Sequence, residues 1–509
     1  MILNSDTKEE NSLLMLELID DIQRSGLTHR FETDIQKALE KIVCFDKCYT
    51  MKNNSLHEVG LHFRLLRQND CVVSQDVFKK FVSDKGEIII KGCCNGHEDL
   101  KDILSLYEAS HLAYEGEDIL DKAKTHTTKY LKNILLEMDS SDNYEFMKEL
   151  IRHSLEIPLH RRMVMLEARW YIESCKKKEG TNMTLLELAK LEFNMAQSVL
   201  QQDLKSVSWW WNNLGLAKEL SFSRDRLVEC FFVAVSLMYE PQFSSYRQGL
   251  TKVASFITTI DDIYDIYGTM SELELFTDAV ERWDIDVVQS LPNYMKICFL
   301  ALYNTINEMA YGFLRKHEHN IIPNLAKLWA DMLKAFLKEA KWSHKEIDPP
   351  TFSEYLENAW RSVSGTVILV HTYYLLDGDE NKKTLLQLMT YDKILRWPSI
   401  IFRLCNDLAT SSEEIARGGT VNSISCYMND NGVNEEQARQ HIKVLIDGAW
   451  KKMNQDTIGS NAFMKSFLQS TINLARMAHC IYHRGDSHSS PDPKSKKEVL
   501  TLIVEPITD

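Results

Sequence analysis

Apolar positions along this chain recur at intervals of three and four, and polar residues fill the faces between them. Leu100, Ile103, Leu104, Tyr107 and His111 make one such stripe, the spacing that puts side chains on one face of an α-helix. Leu13 to Ile22 reads as a helix that stops near Ser25-Gly26. No run shows strict period-2 alternation, and no Asn-Gly hairpin joins strand-like runs. Breakers cluster at Gly92 to Gly96, Ile157-Pro158, Lys178 to Thr181, Asp348 to Pro350 and Asp377 to Asp379. The pattern predicts an all-α protein with long helices.

Composition narrows the picture. The 509 residues leave room for two or more domains. Gly (19) and Pro (10) are scarce, which agrees with few tight turns. A net charge of −14 without a basic patch argues against nucleic acid as a partner. No apolar run reaches the roughly 18 residues that would span a bilayer, so no membrane is expected. The eleven Cys include no CxxC pair, and Cys93-Cys94 are adjacent; reduced thiols and no zinc site are expected. Met1 to Ser12 is polar and acidic, unlike a signal or transit peptide. The expectation is a soluble protein that is either cytosolic or has had a targeting segment removed.

Chemistry concentrates after about residue 220, which suggests a boundary near Trp211 to Leu220. Asp261-Asp262-Ile263-Tyr264-Asp265 follows the apolar run Val253 to Ile260. On a regular helix Asp261 and Asp265 share a face one turn apart. Carboxylates on a mostly apolar helix cost several kcal/mol unless paired, and Mg²⁺ prefers one or two carboxylates plus phosphate oxygens. A solvated helix face is the plain alternative. Asn406, Thr410 and Glu414 stand at i, i+4 and i+8, drifting only about 40° per step on a continuous helix. Their amide, hydroxyl and carboxylate oxygens form a second hard-oxygen set. The competing reading is that Ser411-x-x-Glu414 is a capping box opening a new helix; the Asp-rich motif tilts the choice toward metal. Arg403 lies one turn before Asn406. Arg224 and Arg226 can converge on phosphate oxygens only if they sit at a helix start or in a loop; otherwise they are an exposed charged turn. The loop His483 to Asp492 is rich in Gly, Ser, Asp and His, a lid or merely a polar loop.

These elements in this order resemble the plant class I terpene synthases: DDxxD at Asp261 to Asp265, the Asn/Asp-x-x-x-Ser/Thr-x-x-x-Glu motif at Asn406 to Glu414, RxR at Arg224 to Arg226, and the Tyr482 to His488 loop. LHFRLLRQ (Leu61 to Gln68), LYEASHL (Leu106 to Leu112) and LEARWYIE (Leu166 to Glu173) extend the likeness over the whole chain. Ser364 to Thr366 and Arg403 to Ala409 look most like monoterpene synthases, particularly those of the mint family. The resemblance implies a relict, non-catalytic N-terminal α-barrel over 1–216 and a catalytic isoprenoid-synthase helical bundle over 217–509. It implies three Mg²⁺, with Mn²⁺ as a substitute, on Asp261, Asp265, Asn406, Thr410 and Glu414, with Asp262 behind them. Arg224, Arg226, Arg403 and Asn406 would bind the diphosphate. Three departures stand out: the tandem-arginine-x8-Trp segment is absent, the usual aromatic nine residues after Arg224 is Val233, and the C-terminal loop reads Gly485-Asp486-Ser487-His488.

The reaction expected from this likeness is Mg²⁺-assisted ionisation of geranyl diphosphate, with the cation cyclised or quenched to a monoterpene in a dry pocket. Pocket candidates are Phe232, Val233, Ile257, Thr258, Tyr264, Trp360, Ser362, Gly365, Phe402, Tyr482, Asp486 and His488, with Tyr373 as a further aromatic. Each aromatic is equally a core residue. Ser362 to Gly365 could interrupt a helix and aim carbonyls at the cation. A farnesyl diphosphate enzyme and an inactive helical scaffold are the alternatives. Two DDxxD motifs, the mark of a chain-elongating prenyltransferase, and DxDD, the mark of a protonation-initiated cyclase, are both missing. The protein would be a monomer or a homodimer.

Overall fold

The computed structural model describes residues 12–46, 55–83, 97–137, 145–178, 180–378, 381–416, 421–458 and 463–508, and no strand forms among them. The breaker at Gly92 to Gly96 lies outside the described residues. Where the apolar stripes predicted helices, helices are found. Leu13 to Ile22 sits within the helix Ser12–Arg24, and Gly26 closes that end at φ 75, a left-handed conformation that glycine adopts at little cost. Leu100, Ile103, Leu104, Tyr107 and His111 are all buried.

The chain divides into two compact units. One comprises Met1–Met195, Asn454–Gly459 and Glu505–Asp509, the other Ala196–Met453 and Ser460–Val504. In the first, the helix His97–Ser110 packs between Leu56–Gln68 and Asp118–Glu137, around Phe63, Phe78, Leu106 and Leu120. This unit also buries a charge cluster. Glu167 accepts from Arg24 Nη2 at 2.7 Å, Arg162 Nη1 at 2.6 Å and His153 Nε2 at 2.9 Å. Burial pushes the Glu167 carboxyl up, but the two arginines more than offset this and hold it well below the usual range.

The second unit is a bundle whose walls run from helix to helix. Leu227–Leu237 packs against Ser244–Asp262 and Lys465–Tyr482; Lys465–Tyr482 packs against Lys393–Ala416; Phe352–Ser362 packs against both Lys393–Ala416 and Ile322–Ser343. Leu227–Leu237 is apolar nearly all round and almost wholly buried, as a helix in the heart of a bundle must be. Each large apolar side chain so buried contributes about 1.5 to 3 kcal/mol. The expected interruption is present. Phe352–Ser362 ends, Ser364 takes φ 66, and Gly365–Leu375 begins. Gly365 is needed there, because a Cβ would lie 2.5 Å from Ser399 Oγ. No described helix is long and apolar enough to cross a membrane.

Candidate active site

The Asp-rich segment is not one regular helix. The α-helix ends at Asp262, and Ile263–Tyr267 form a single π turn, closed by the Gly268 N–H donating to the Ile263 carbonyl at 2.8 Å. A Cβ on Gly268 would meet that carbonyl at 2.9 Å and Leu273 Cδ2 at 2.6 Å, so glycine permits the turn. The wider turn leaves Asp265, Ile266 and Tyr267 exposed in succession, which a regular helix packed on one face would not do.

Arg224 and Arg226 do converge, because the first lies in the loop before the helix Leu227–Leu237 and the second is its N-cap. Arg224 Nη2 donates to Asp261 Oδ2 at 2.7 Å. Its Nε and main-chain N–H donate to the two oxygens of Asp262 at 2.6 and 2.7 Å, and Ser223 Oγ donates to Asp262 at 3.0 Å. Asp262 is fully buried. The resemblance placed Asp262 behind the metal-holding acids, and here both its oxygens are taken up by Arg224 and Ser223. Both arginines reach Ser489, Arg224 Nη1 its hydroxyl at 2.5 Å and Arg226 Nη2 its carbonyl at 2.8 Å. Asp486 shapes that loop by accepting from the N–H groups of His488 and Ser489, each at 3.0 Å.

The acids crowd one another. Burial pushes the Asp261 carboxyl up, and the neighbouring Asp262 adds to this, against the pull of Arg224. Burial, then the charges of Asp261 and Glu339, push Asp265 well above the usual range. Because Asp265 keeps an exposed surface, water weakens the burial share, while the like charges act in the same upward direction. Burial alone would lower the Arg224 guanidinium, yet Asp261 and Asp262 raise it.

The second wall is the helix Lys393–Ala416, which runs unbroken through Asn406, Thr410 and Glu414. Ser411 lies inside it, with its Oγ accepting from Arg439 Nη2 at 2.7 Å, so the capping-box reading fails. Asn406 hydrogen-bonds Tyr482. Thr410 Oγ1 is buried without a hydrogen-bond partner; the Glu414 side chain lies outside the described residues. Arg403 is tied inward rather than left open. It contacts Asp407 at 2.8 Å and the Tyr355 hydroxyl at 2.8 Å through Nε, and Glu339 at 3.7 Å through Nη1. Its charge still acts on Asp261 and Asp265. Asp407, buried and also bonded to the Ser423 N–H at 3.0 Å, and Glu339, which accepts from Ser362 Oγ at 2.5 Å, were not singled out from the sequence. Asp407 stood within the motif; Glu339 carried no signal there. Among the described residues no three acidic, imidazole or thiol groups meet at metal-binding range. The donors on offer are mixed: two crowded carboxylates, an amide and an orphaned hydroxyl, which suits a hard divalent cation.

The aromatic candidates separate. Tyr264 packs on Phe276 and Phe336 and bonds Thr277 Oγ1 at 2.7 Å. Trp360 lies against Tyr391, Arg361 and Arg396. Tyr373 packs on Phe463 and Phe467. All three are buried and packed against neighbouring side chains, the core placement that each aromatic candidate equally allowed. Phe402 and Tyr482 approach to 6.0 Å between centroids. Phe232 lines a pocket of about 290 Å³ with Val228, Ile481, Val499 and Leu500, and Ser487 and His488 of the C-terminal loop also border it. Val233 is buried and Ile257 half-buried. Thr258 Oγ1 lies 3.1 Å from His488 Nε2; burial pushes that imidazole down to about 4, so it is neutral.

Two family descriptions match the chain: terpene synthase N-terminal domain over residues 1–155 and terpene synthase family metal binding domain over residues 212–452. The chain is 57% identical over 507 residues to probable terpene synthase 12 of Ricinus communis, covering 100% of this chain and 84% of the relative. It is 51% identical to the chloroplastic tricyclene synthase of Medicago truncatula, covering 98% and 85%. Among solved structures it resembles isoprene synthase from grey poplar in complex with three Mg²⁺ ions and dimethylallyl-S-thiolodiphosphate. That likeness has a TM-score of 0.92 at 49% identity, and covers 100% of this chain and 95% of the other.

Proposed function

Because the chain belongs to the terpene synthase family, and is therefore a lyase acting on a prenyl diphosphate, we propose that it ionises geranyl diphosphate and converts the cation to a monoterpene. The observation that carries this reading is the pairing of Arg224 with Asp261, next to the crowded Asp265, while Arg224 and Arg226 converge on Ser489. The orphaned Thr410 hydroxyl lies on the wall bearing the second motif.

Asp261, Asp265, Asn406, Thr410 and Glu414 would hold Mg²⁺, three ions in all, with Mn²⁺ as a substitute. When bound, the metal supplies Lewis-acid charge to the leaving diphosphate oxygens. Arg224 and Arg226 take those oxygens in place of Ser489. Asp262 fixes Arg224 from behind, so its donors are aimed before charge develops. Arg403 adds positive charge from its seat on Asp407 and Tyr355. The break at Ser362 to Gly365 presents a helix C-terminus, the negative end of its dipole, to the cation. The apolar bundle keeps water from the cation, and the departing diphosphate accepts the final proton. Chloroplastic relatives support the plastid stroma as its location.

One observation favours a second reading. The poplar enzyme that shares this fold at 49% identity binds a five-carbon analogue, so dimethylallyl diphosphate with isoprene as product is the rival, ahead of farnesyl diphosphate. Incubation with each of the three substrates, with and without Mg²⁺, followed by gas chromatography, decides between them. The highest kcat/KM for geranyl diphosphate is expected; a higher value for dimethylallyl diphosphate would install the rival. No release of diphosphate from any substrate would leave only an inactive scaffold.

A further inference from the structure

Phe222 and Tyr267 lie ring on ring, 3.9 Å between centroids and 1° from parallel. Tyr294 meets both edge-on, at 5.8 Å from Phe222 and 5.0 Å from Tyr267, each at 87°. The Tyr294 hydroxyl donates to Glu272 Oε2 at 3.2 Å. That same oxygen accepts the Thr269 N–H at 3.0 Å and the Thr269 hydroxyl at 2.8 Å, where the helix Met270–Arg282 begins. Three segments therefore meet in one cluster: the arginine loop, the π turn and the first turn of the helix Asn293–His317. Phe222 stands two residues before Arg224, and Tyr267 two residues after Asp265.

We propose that Phe222, Tyr267 and Tyr294 are positioning residues that hold the arginine loop in register on the Asp-rich turn, acting through Arg224 and Asp265 without touching substrate. The inference rests on the reading of this site as a diphosphate site. Burial does not explain the stack, since Tyr267 is 52% exposed. The π turn does explain it: the wider turn carries Tyr267 out of the packed face and over Phe222, and Gly268 allows that turn to close. The arginine loop also needs such a hold. Its other side-chain ties run from Ser223 and the arginines to Asp261, Asp262 and Ser489 and from the Trp211 indole N–H to Asp225 at 3.1 Å; a diphosphate would displace Ser489, and the Trp211 bond holds the loop from one side only. The two edge-to-face contacts of Tyr294 are directional, so with the parallel Phe222–Tyr267 stack they fix where the loop lies.

The test uses the full chain with Tyr267→Ala, Phe222→Leu and Tyr267→Phe. Two quantities are measured: calorimetric binding of inorganic pyrophosphate in the presence of Mg²⁺, and kcat and KM for geranyl and dimethylallyl diphosphates. Tyr267→Ala and Phe222→Leu are expected to weaken pyrophosphate binding and raise KM by about 2- to 10-fold, the range an aromatic pair supplies, with kcat moving less. Tyr267→Phe, which keeps the ring, should restore wild-type values. Because Tyr267 is half-exposed, its truncation opens no buried cavity, and Phe222→Leu keeps an apolar side chain should the first variant misfold. Wild-type pyrophosphate affinity in both ring-loss variants would overturn the proposal while leaving the diphosphate reading intact. A wild-type protein that neither binds pyrophosphate nor releases it from a prenyl diphosphate would overturn that reading, and this proposal with it.

Discussion

Arg224 grips Asp262 twice, through its main-chain N–H at 2.7 Å and its Nε at 2.6 Å, and Asp262 is left with no exposed surface. Adjacent aspartates thus share one arginine from different settings: Asp261 keeps an exposed side-chain surface and Asp262 has none.

Their substitution should separate accordingly. Asp261→Ala or Asp265→Ala relieves repulsion between like charges, so the metal-free protein should melt at the same temperature or higher while turnover falls about 10²- to 10³-fold. Asp262→Asn should instead lower the melting temperature, because it leaves the Arg224 guanidinium facing an uncharged amide. Thermal melts beside steady-state turnover report both. Near-normal turnover in the Asp261 or Asp265 variant would be incompatible with the assignment.

Thr410 gives a sharper test, since its hydroxyl is buried and unpaired. An unsatisfied buried hydroxyl costs about 1 to 3 kcal/mol. Thr410→Val should therefore raise the melting temperature of the metal-free protein and also raise the Mg²⁺ concentration needed for half-maximal activity. Glu414→Gln should raise the Mg²⁺ requirement with little change in melting, because no helix starts at Ser411 for Glu414 to cap. An unaltered Mg²⁺ titration in both variants would remove this wall from the metal site.

Val233 sits nine residues after Arg224 and seven after Arg226, near the same face as Arg226 on the helix Leu227–Leu237. If the small side chain leaves room in the reactive pocket, Val233→Trp should change the product ratio while Mg²⁺ dependence persists. If the site is already filled by neighbours such as Phe231 or Phe232, the variant should lose about 1 to 3 kcal/mol of stability from overpacking. Product chromatography paired with a melt distinguishes the two; a stable, active variant with an unchanged profile would end the pocket hypothesis.

His371 predicts an acid sensitivity. Burial pushes its imidazole down to about 4, although Nδ1 hydrogen-bonds the Val367 carbonyl. The folded protein resists the proton that the unfolded chain binds near 6.5. Stability from this site is complete above about 6.5 and drains away as pH falls toward 4, by about 3 kcal/mol in all. His371→Leu should flatten the loss of melting temperature between pH 7 and 4.5; a slope identical to wild type would show that other groups carry it.

The motifs were legible because each declares itself within a few residues. The spacing of Asn406, Thr410 and Glu414 needed the Asp-rich motif beside it, because a capping box at Ser411 fitted the same residues. The convergence of Arg224 and Arg226 was one of two readings; it holds because one lies in the loop and the other is the N-cap of the helix that follows. What escaped depends on partners distant in sequence. Arg403 meets Tyr355 across a separation of 48 residues, so nothing local revealed that its guanidinium was already engaged. The π turn escaped because nothing local in Ile263 to Tyr267 separates it from an α turn; the Gly268 N–H reaching the Ile263 carbonyl five residues back reveals it. For the aromatic candidates, periodicity marks which face is buried but not which side chains it meets, as for Tyr264, which meets two phenylalanines.

Ser489 meets both arginines with neutral groups, its hydroxyl on Arg224 and its carbonyl on Arg226. On the proposed diphosphate reading, the protein carries an internal stand-in for its ligand. An arriving diphosphate would then not fill an empty hole; it would evict a weaker tenant and free the Ser489 segment from both arginines. At the end of a cycle the exchange would run backward, with Ser489 recapturing the two guanidiniums as the diphosphate leaves. Turnover on that reading is a substitution between a serine and a substrate, and weakening the serine should trade faster capture for slower release.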